Sequence, residues 1–144
     1  MRHLLTRTLL AGMLLSVPPT MARAADVSGV VVEKLMQSGK SWDGAPYRRY
    51  PGGAPELTVL RITVPPHTAL PWHTHPMPNA AYVVSGELLV EKQKGGASKR
   101  LVAGDVLPEM VGAIHRGVTG EAGAVLIVFY AGTKGMKLSE ARGG

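Results

Sequence analysis

The chain has no cysteine, so no disulfide staples its fold and no thiolate can serve as nucleophile or metal ligand. Aromatic residues are also scarce, with one Phe, two Trp and four Tyr, and the Lys and Arg residues form no stripe with aromatics between them. Nucleic-acid binding, which calls for both, therefore has no support. No apolar run reaches the roughly 20 residues that span a bilayer. A short apolar stretch, Leu9 to Val17, lies instead between a positive start (Arg2, Arg7) and the A-x-A triplet Ala22-Arg23-Ala24. That order predicts a secretory signal peptide over residues 1–24, cleaved after Ala24. A soluble periplasmic or secreted protein is expected, without stable membrane insertion. The leader has no twin arginines, which points to export in the unfolded state, and no cysteine is present to carry a lipid anchor. The signal holds three of the 16 basic residues and none of the acidic ones, so the formal charge of +6 falls to +3 in the mature chain.

The expected mature chain of 120 residues is the size of one compact domain. From Val30 onward it alternates short apolar runs with Gly, Pro, Asn and Asp, the pattern of an all-β sandwich or barrel. Strands are predicted over about 29–36, 57–64, 71–75, 79–85, 87–92, 99–103, 105–109, 114–118 and 124–131, and no dozen residues carry a helical period. In residues 57–64 Leu60, Ile62 and Val64 share one face, opposite Val59, Arg61 and Thr63. Residues 124–130, AVLIVFY, are apolar on both faces, which predicts a central strand or a strand beneath a subunit contact. Self-association as a homodimer is expected on that ground. Segment 37–56 reads as an irregular arm over the barrel, and 92–100 as a solvated hairpin loop.

The stretch PWHTHPMPNAAYVVSGEL, residues 71–88, carries the chemistry. Residues i and i+2 of a strand point to the same side, so His73 and His75 enter one cavity together. Imidazole is a common ligand of borderline metals, but two histidines make half a site.

The spacing around them supplies the rest. His73, His75 and Gly86, followed by Gly104, Gly112 and His115 in GDVLPEMVGAIH, resemble the cupin family, whose motifs run G-x5-H-x-H-x3,4-E-x6-G and G-x5-P-x-G-x2-H-x3-N. The resemblance covers about residues 56–131. It implies a small double-stranded β-helix (jelly-roll) barrel with an N-terminal extension, divided as signal 1–24, N-terminal strand and arm 25–55, and barrel 56–144. It also implies one divalent transition metal in the barrel mouth, on His73, His75 and His115. Four positions depart from the pattern: His67 stands at the first Gly, Asn79 at the Glu, Met110 at the Pro and Thr119 at the final Asn.

Asn79 takes the place of the one anionic ligand. A neutral amide oxygen is a poorer donor, so the expected site is three imidazoles plus water, with Asn79 at most a weak fourth contact. Three neutral nitrogens suit iron first, with copper, nickel, zinc or manganese as alternatives, over magnesium or calcium. His67, after Pro65-Pro66, is expected in an exposed turn with positive φ. Glu109 and Arg116 either line the cavity, as proton acceptor and anion anchor, or are solvated strand-end charges. Arg61 either reaches a substrate carboxylate or lies on the surface. Trp72, Tyr82, Phe129 and Tyr130 are expected to pack.

Two function classes remain open on the sequence. Three histidines with open coordination positions resemble the dioxygenase branch of the family, acting on a small anionic substrate. The other class is a non-catalytic module that captures a small ligand or metal. A sugar-type isomerase is a third, weaker reading, because no separate base is placed for it.

Overall fold

The computed structural model describes residues 29–143, and the expected signal peptide and its cleavage site lie outside them. From Glu33 onward the described residues form one compact unit. They carry eight strands and no helix: β1 Pro55–Val64, β2 His73–Thr74, β3 Asn79–Lys92, β4 Ser98–Val102, β5 Val106–Pro108, β6 His115–Val118, β7 Ala124–Thr133 and β8 Glu140–Ala141. The hydrogen-bonded order runs β1-β7-β3-β6-β2-β8, with β4 and β5 also paired to β3. The all-β jelly-roll expectation is met.

The curl of the wall comes from β3. Its first half pairs with β7 and β5, its second half with β4 and β6, so one strand serves two sheets. Between Val83 and Ser85 the register to β7 slips by one residue. Such a bulge inverts the side-chain parity, since the strand period is two. Ahead of it Asn79, Ala81 and Val83 are buried; beyond it Leu88 and Val90 are. The pattern that suggests two strands, 79–85 and 87–92, is therefore one strand with a phase change.

The parity of residues 57–64 is as expected. Val64 is buried and Ile62 half-buried, opposite buried Ala124 and Leu126; Leu60, opposite buried Val128, stays 37% exposed at the rim of that face, and Leu57 and Val59 on β1 are 67% and 60% exposed. β7 is central, between β1 and β3. Leu101, Leu107, Met77 and Val83 are fully enclosed in the core, and burying each of the leucines stabilises the fold by about 1.5–3 kcal/mol.

Residues 29–36 form no strand, which corrects one expectation. Val31 and Val32 are 92% and 89% exposed. Apolar composition favours a strand only where a partner satisfies the ladder. The arm itself is anchored: Trp42 N donates to Pro108 O at 2.9 Å and the Trp42 ring packs on the core. Lys92 Nζ meets Asp43 Oδ2 at 2.6 Å, tying the arm to the end of β3. Strand β8 was not expected, because residues 140–141 carry no apolar alternation and exist as a strand only through pairing with His73 and Thr74.

Two departures from the motif pattern have structural explanations. His67 has φ 52° in an exposed turn, as expected after two prolines. Thr119 is buried; its hydroxyl donates to Pro65 O at 2.6 Å and accepts from Thr68 N at 3.0 Å, pinning that turn to the end of β6.

Candidate metal centre

The three histidines come together for reasons of register. His73 and His115 are direct partners in the β2–β6 ladder, so their side chains leave the same face. His75 follows two residues later; its carbonyl accepts from Gly112 N at 2.9 Å, in a bridge beside Val111. The second-motif loop is thereby stitched to the first. Ring centroids lie 4.6 Å apart for His73–His115, 4.9 Å for His73–His75 and 5.0 Å for His75–His115. Their candidate ligand nitrogens all fall within 4.8 Å of one another.

Each ring is oriented by its other nitrogen. His73 Nδ1 donates to Pro71 O, His75 Nδ1 to Leu138 O and His115 Nδ1 to Ala113 O, all at 2.8 Å. A carbonyl only accepts, so each Nδ1 carries the proton and each Nε2 keeps its lone pair. This is the arrangement that fixes the tautomer of metal-ligating histidines. His115 Nε2 is buried with no hydrogen-bond partner. An orphaned buried lone pair of this kind fits a metal ion.

Burial sets the charge states. It lowers the pKa of His73 and of His75, outweighing the Pro71 carbonyl for one and Glu109 and the Leu138 carbonyl for the other. Both are neutral at pH 7 and ready to coordinate. For His115 burial acts the same way, but Glu109 outweighs it and the pKa rises. Glu109 Oε2 stands 3.3 Å from His115 Nε2, and neither atom has another hydrogen-bond partner. The upward shift comes from the Glu109 carboxylate, as hydrogen-bond acceptor first and as a charge second.

Glu109 is inside the site, with its side chain 12% exposed. Arg116 is not: its guanidinium bonds Glu91 at 2.8 Å and lies 4.4 Å over the Trp72 ring, on the outside of the wall. Arg61 is exposed on the outer face, opposite Ile127. Asn79 is 4% exposed, and both its amide atoms are buried without partners. Tyr82 and Phe129 are partly exposed on the outer face, whereas Tyr130 is buried, its ring 5.7 Å from that of His75. Burial, aided by Glu109, pushes the Tyr130 phenol up to about 12, so it stays a neutral donor beside the histidines. Its place there was missed in the sequence; the even-numbered parity of β7 was the available signal.

The sequence of residues 60–130 matches the family described as a cupin domain. The chain belongs to the cupin superfamily. No curated protein matches it. Among solved structures, this cupin is similar to the polyketide cyclase RemF of Streptomyces resistomycificus, at TM-score 0.54 and 18% identity over 65% of this chain and 64% of that one. It is also similar to a cupin-like protein of Thermotoga maritima, at TM-score 0.52 and 18% identity over 61% and 65%. An oxalate decarboxylase of Lactobacillus farciminis, in complex with formate, matches at TM-score 0.51 and 17% identity over 59% and 26%. Each likeness spans less than two thirds of the other protein and establishes the fold alone. With its three-histidine cluster, the chain is a cupin of the metal-binding type.

Proposed function

We propose that this cupin holds one divalent transition metal, iron first, on His73, His75 and His115 and carries out a dioxygenase-like oxidation of a small anionic substrate. The observation that carries this reading is the common tautomer: three Nδ1–H groups tied to backbone carbonyls leave three Nε2 lone pairs directed to one place. A bound ion supplies Lewis acidity there and, as iron, a one-electron redox couple. The protein's own contribution is orientation and exclusion of water. His75 and His115 are 4% and 2% exposed, while His73 is only half-buried, so the open side of the centre lies at His73. Two clefts, of about 670 and 450 Å³, are lined by arm residues such as Arg48, Arg49 and Tyr50 and by none of the three histidines, although the second reaches Asn79. A small substrate suits so enclosed a centre, and a negative one suits the ion's charge. Tyr130, held protonated with its ring 5.7 Å from that of His75, would serve as a hydrogen-bond donor to it.

The test is oxygen uptake by iron(II)-loaded protein against a panel of small carboxylates and phenolates. Uptake matched to loss of one substrate, and absent from the apoprotein, supports the enzyme. A flat oxygen trace while calorimetry records those same anions binding would mean that the protein is a non-catalytic binding module.

Export and pairing belong to the same proposal. The tripartite leader supports a mature chain that begins at Ala25 in the periplasm. For pairing, the occupant is a second copy laid along β1. This ten-residue strand is the edge of the sheet beyond β7, and its Leu57 and Val59 stand exposed beside Phe129 at 41%. Long, exposed apolar edges invite strand pairing, and an isologous contact would cover the edge and the face at once. Light scattering at micromolar concentration should give two chains per particle, with Val59→Lys shifting it to one. A wild-type monomer would remove the pairing, and an intact mass that includes residues 1–24 after export would remove the processing.

A further inference from the structure

The carboxylate that the first motif lacks is present one strand away. Ala80 pairs with Pro108 and Ala81 with Leu107, and Glu109 N donates to Asn79 O at 3.0 Å. The same antiparallel register places Glu109 opposite Asn79. Side chains opposite one another in such a ladder leave the same face with Cβ atoms about 4.5–5.5 Å apart, and Asn79 faces inward. A carboxyl group at position 109 thus occupies nearly the same region as one at position 79.

The electrostatics of that region call for a cation. Glu109 Oε2 is buried with no hydrogen bond, 3.3 Å from His115 Nε2, which is equally orphaned. With the His115 proton on Nδ1, facing Ala113 O, the neutral ring turns a lone pair toward an anionic oxygen. Two desolvated electron-rich atoms at that distance need positive charge with them, a second proton on the ring in the apoprotein or a metal ion in its place. Three imidazoles alone would leave both charges of a divalent ion uncompensated in a buried place, which is costly. The backbone of Glu109 is held on both sides, its N–H on Asn79 O and its carbonyl accepting from the Tyr47 hydroxyl at 2.6 Å, and its carboxylate lies outside the group of mutually close ligand atoms, so ligation requires the side chain to turn.

We infer that Glu109 is the anionic ligand of the metal centre, the carboxylate having passed across the β3–β5 ladder from position 79 to position 109. Asn79 is then the neutral hydrogen-bonding group next to it. This rests on the three-histidine site, and the variants are chosen so that the two stand or fall separately.

Competition titration of cobalt(II) and zinc(II) into the apoprotein, with folding checked by melting, is the measurement. Glu109→Gln should weaken binding at least about 100-fold, beyond the 10–100-fold typical of groups that merely orient a ligand. It should also alter the visible spectrum of the cobalt form. Asn79→Ala should stay within about tenfold of wild type, because a neutral amide contributes less than a ligand. Placing Asn79→Glu on the Glu109→Gln background should restore affinity to within about tenfold, since the opposite position reaches the same region. If Glu109→Gln binds as wild type while His73→Ala does not, the histidine site stands and the Glu109 assignment falls. If both bind as wild type, both fall. Should Glu109→Gln fail to fold, Asn79→Glu alone decides. Two carboxylates competing for one position should gain less than about tenfold, whereas a gain of about 100-fold or more would show that position 109 holds no ligand.

Discussion

His115→Ala protein should bind zinc or cobalt at least about 100-fold more weakly than wild type, a loss of about 2.7 kcal/mol. His115 is the ligand on which the site converges, being the direct cross-strand partner of His73 and only 2% exposed. Without it two imidazoles remain, and they hold a divalent ion poorly. The substitution leaves a buried gap but also removes an orphaned nitrogen, so the apoprotein should still melt cooperatively. His73→Ala should lose metal to a similar degree with less effect on stability, because His73 is half-buried. Calorimetric titration and melting of the two variants check both statements. Retention of wild-type affinity by His115→Ala would dissolve the three-histidine site.

Acidification probes the same groups. Burial lowers the pKa of His73 and His75 from the ordinary 6.5, so below pH 6.5 the unfolded chain binds protons that the folded apoprotein resists. Stability contributed by these two is present above that pH and lost as the pH falls. His115 is raised and acts in the opposite sense, its contribution being present below pH 6.5 and lost as the pH rises through its folded value. The apoprotein should therefore lose stability on acidification by the balance of two groups against one. Metal, which requires all three rings deprotonated at Nε2, should leave over the same range.

Gly86→Ala should be the most damaging single change outside the site. A Cβ on Gly86 would stand 1.8 Å from Gly123 O and 2.9 Å from Gly123 C, both backbone atoms, and the residue has φ 76°. Gly123 is hemmed in turn, its own Cβ position lying 2.5 Å from Val64 O. Strands β1, β3 and β7 thus meet backbone to backbone at one corner, and none can retreat without parting from the others. A cost of about 3 kcal/mol or more, read as a fall in Tm of roughly 10 °C or more, follows from the clash and the strained dihedral together. Gly120→Ala is the control, since its added Cβ meets nothing nearer than Glu87 Oε1 at 3.8 Å. Equal melting of Gly86→Ala and Gly120→Ala would contradict the corner packing.

The motif glycine at position 86 is thus explained by crowding, which no single-sequence pattern displays. What was legible in the sequence was periodicity and spacing. The period of two placed His73 beside His75, sorted Leu60, Ile62 and Val64 inward, and made residues 124–130 a central strand. It misled at residues 29–36, where apolar alternation has no partner strand, and in β3, where a parity change between Val83 and Ser85, just ahead of Gly86, looks like a break between two strands. The role of Glu109 was hidden for a related reason. Its place beside Asn79 depends on the register of β3 against β5, which long-range pairing fixes and local composition does not. The Leu138 carbonyl that orients His75 comes from a segment 63 residues away, again outside any local pattern.

The most direct test of the central claim is a crystal of the protein loaded with zinc or iron, measured at the metal's absorption edge. The account predicts one anomalous peak per chain, about 2.0–2.1 Å from Nε2 of His73, His75 and His115, with the three Nδ1 atoms still bound to their carbonyls. A peak elsewhere on the chain, or none at saturating metal, would contradict it.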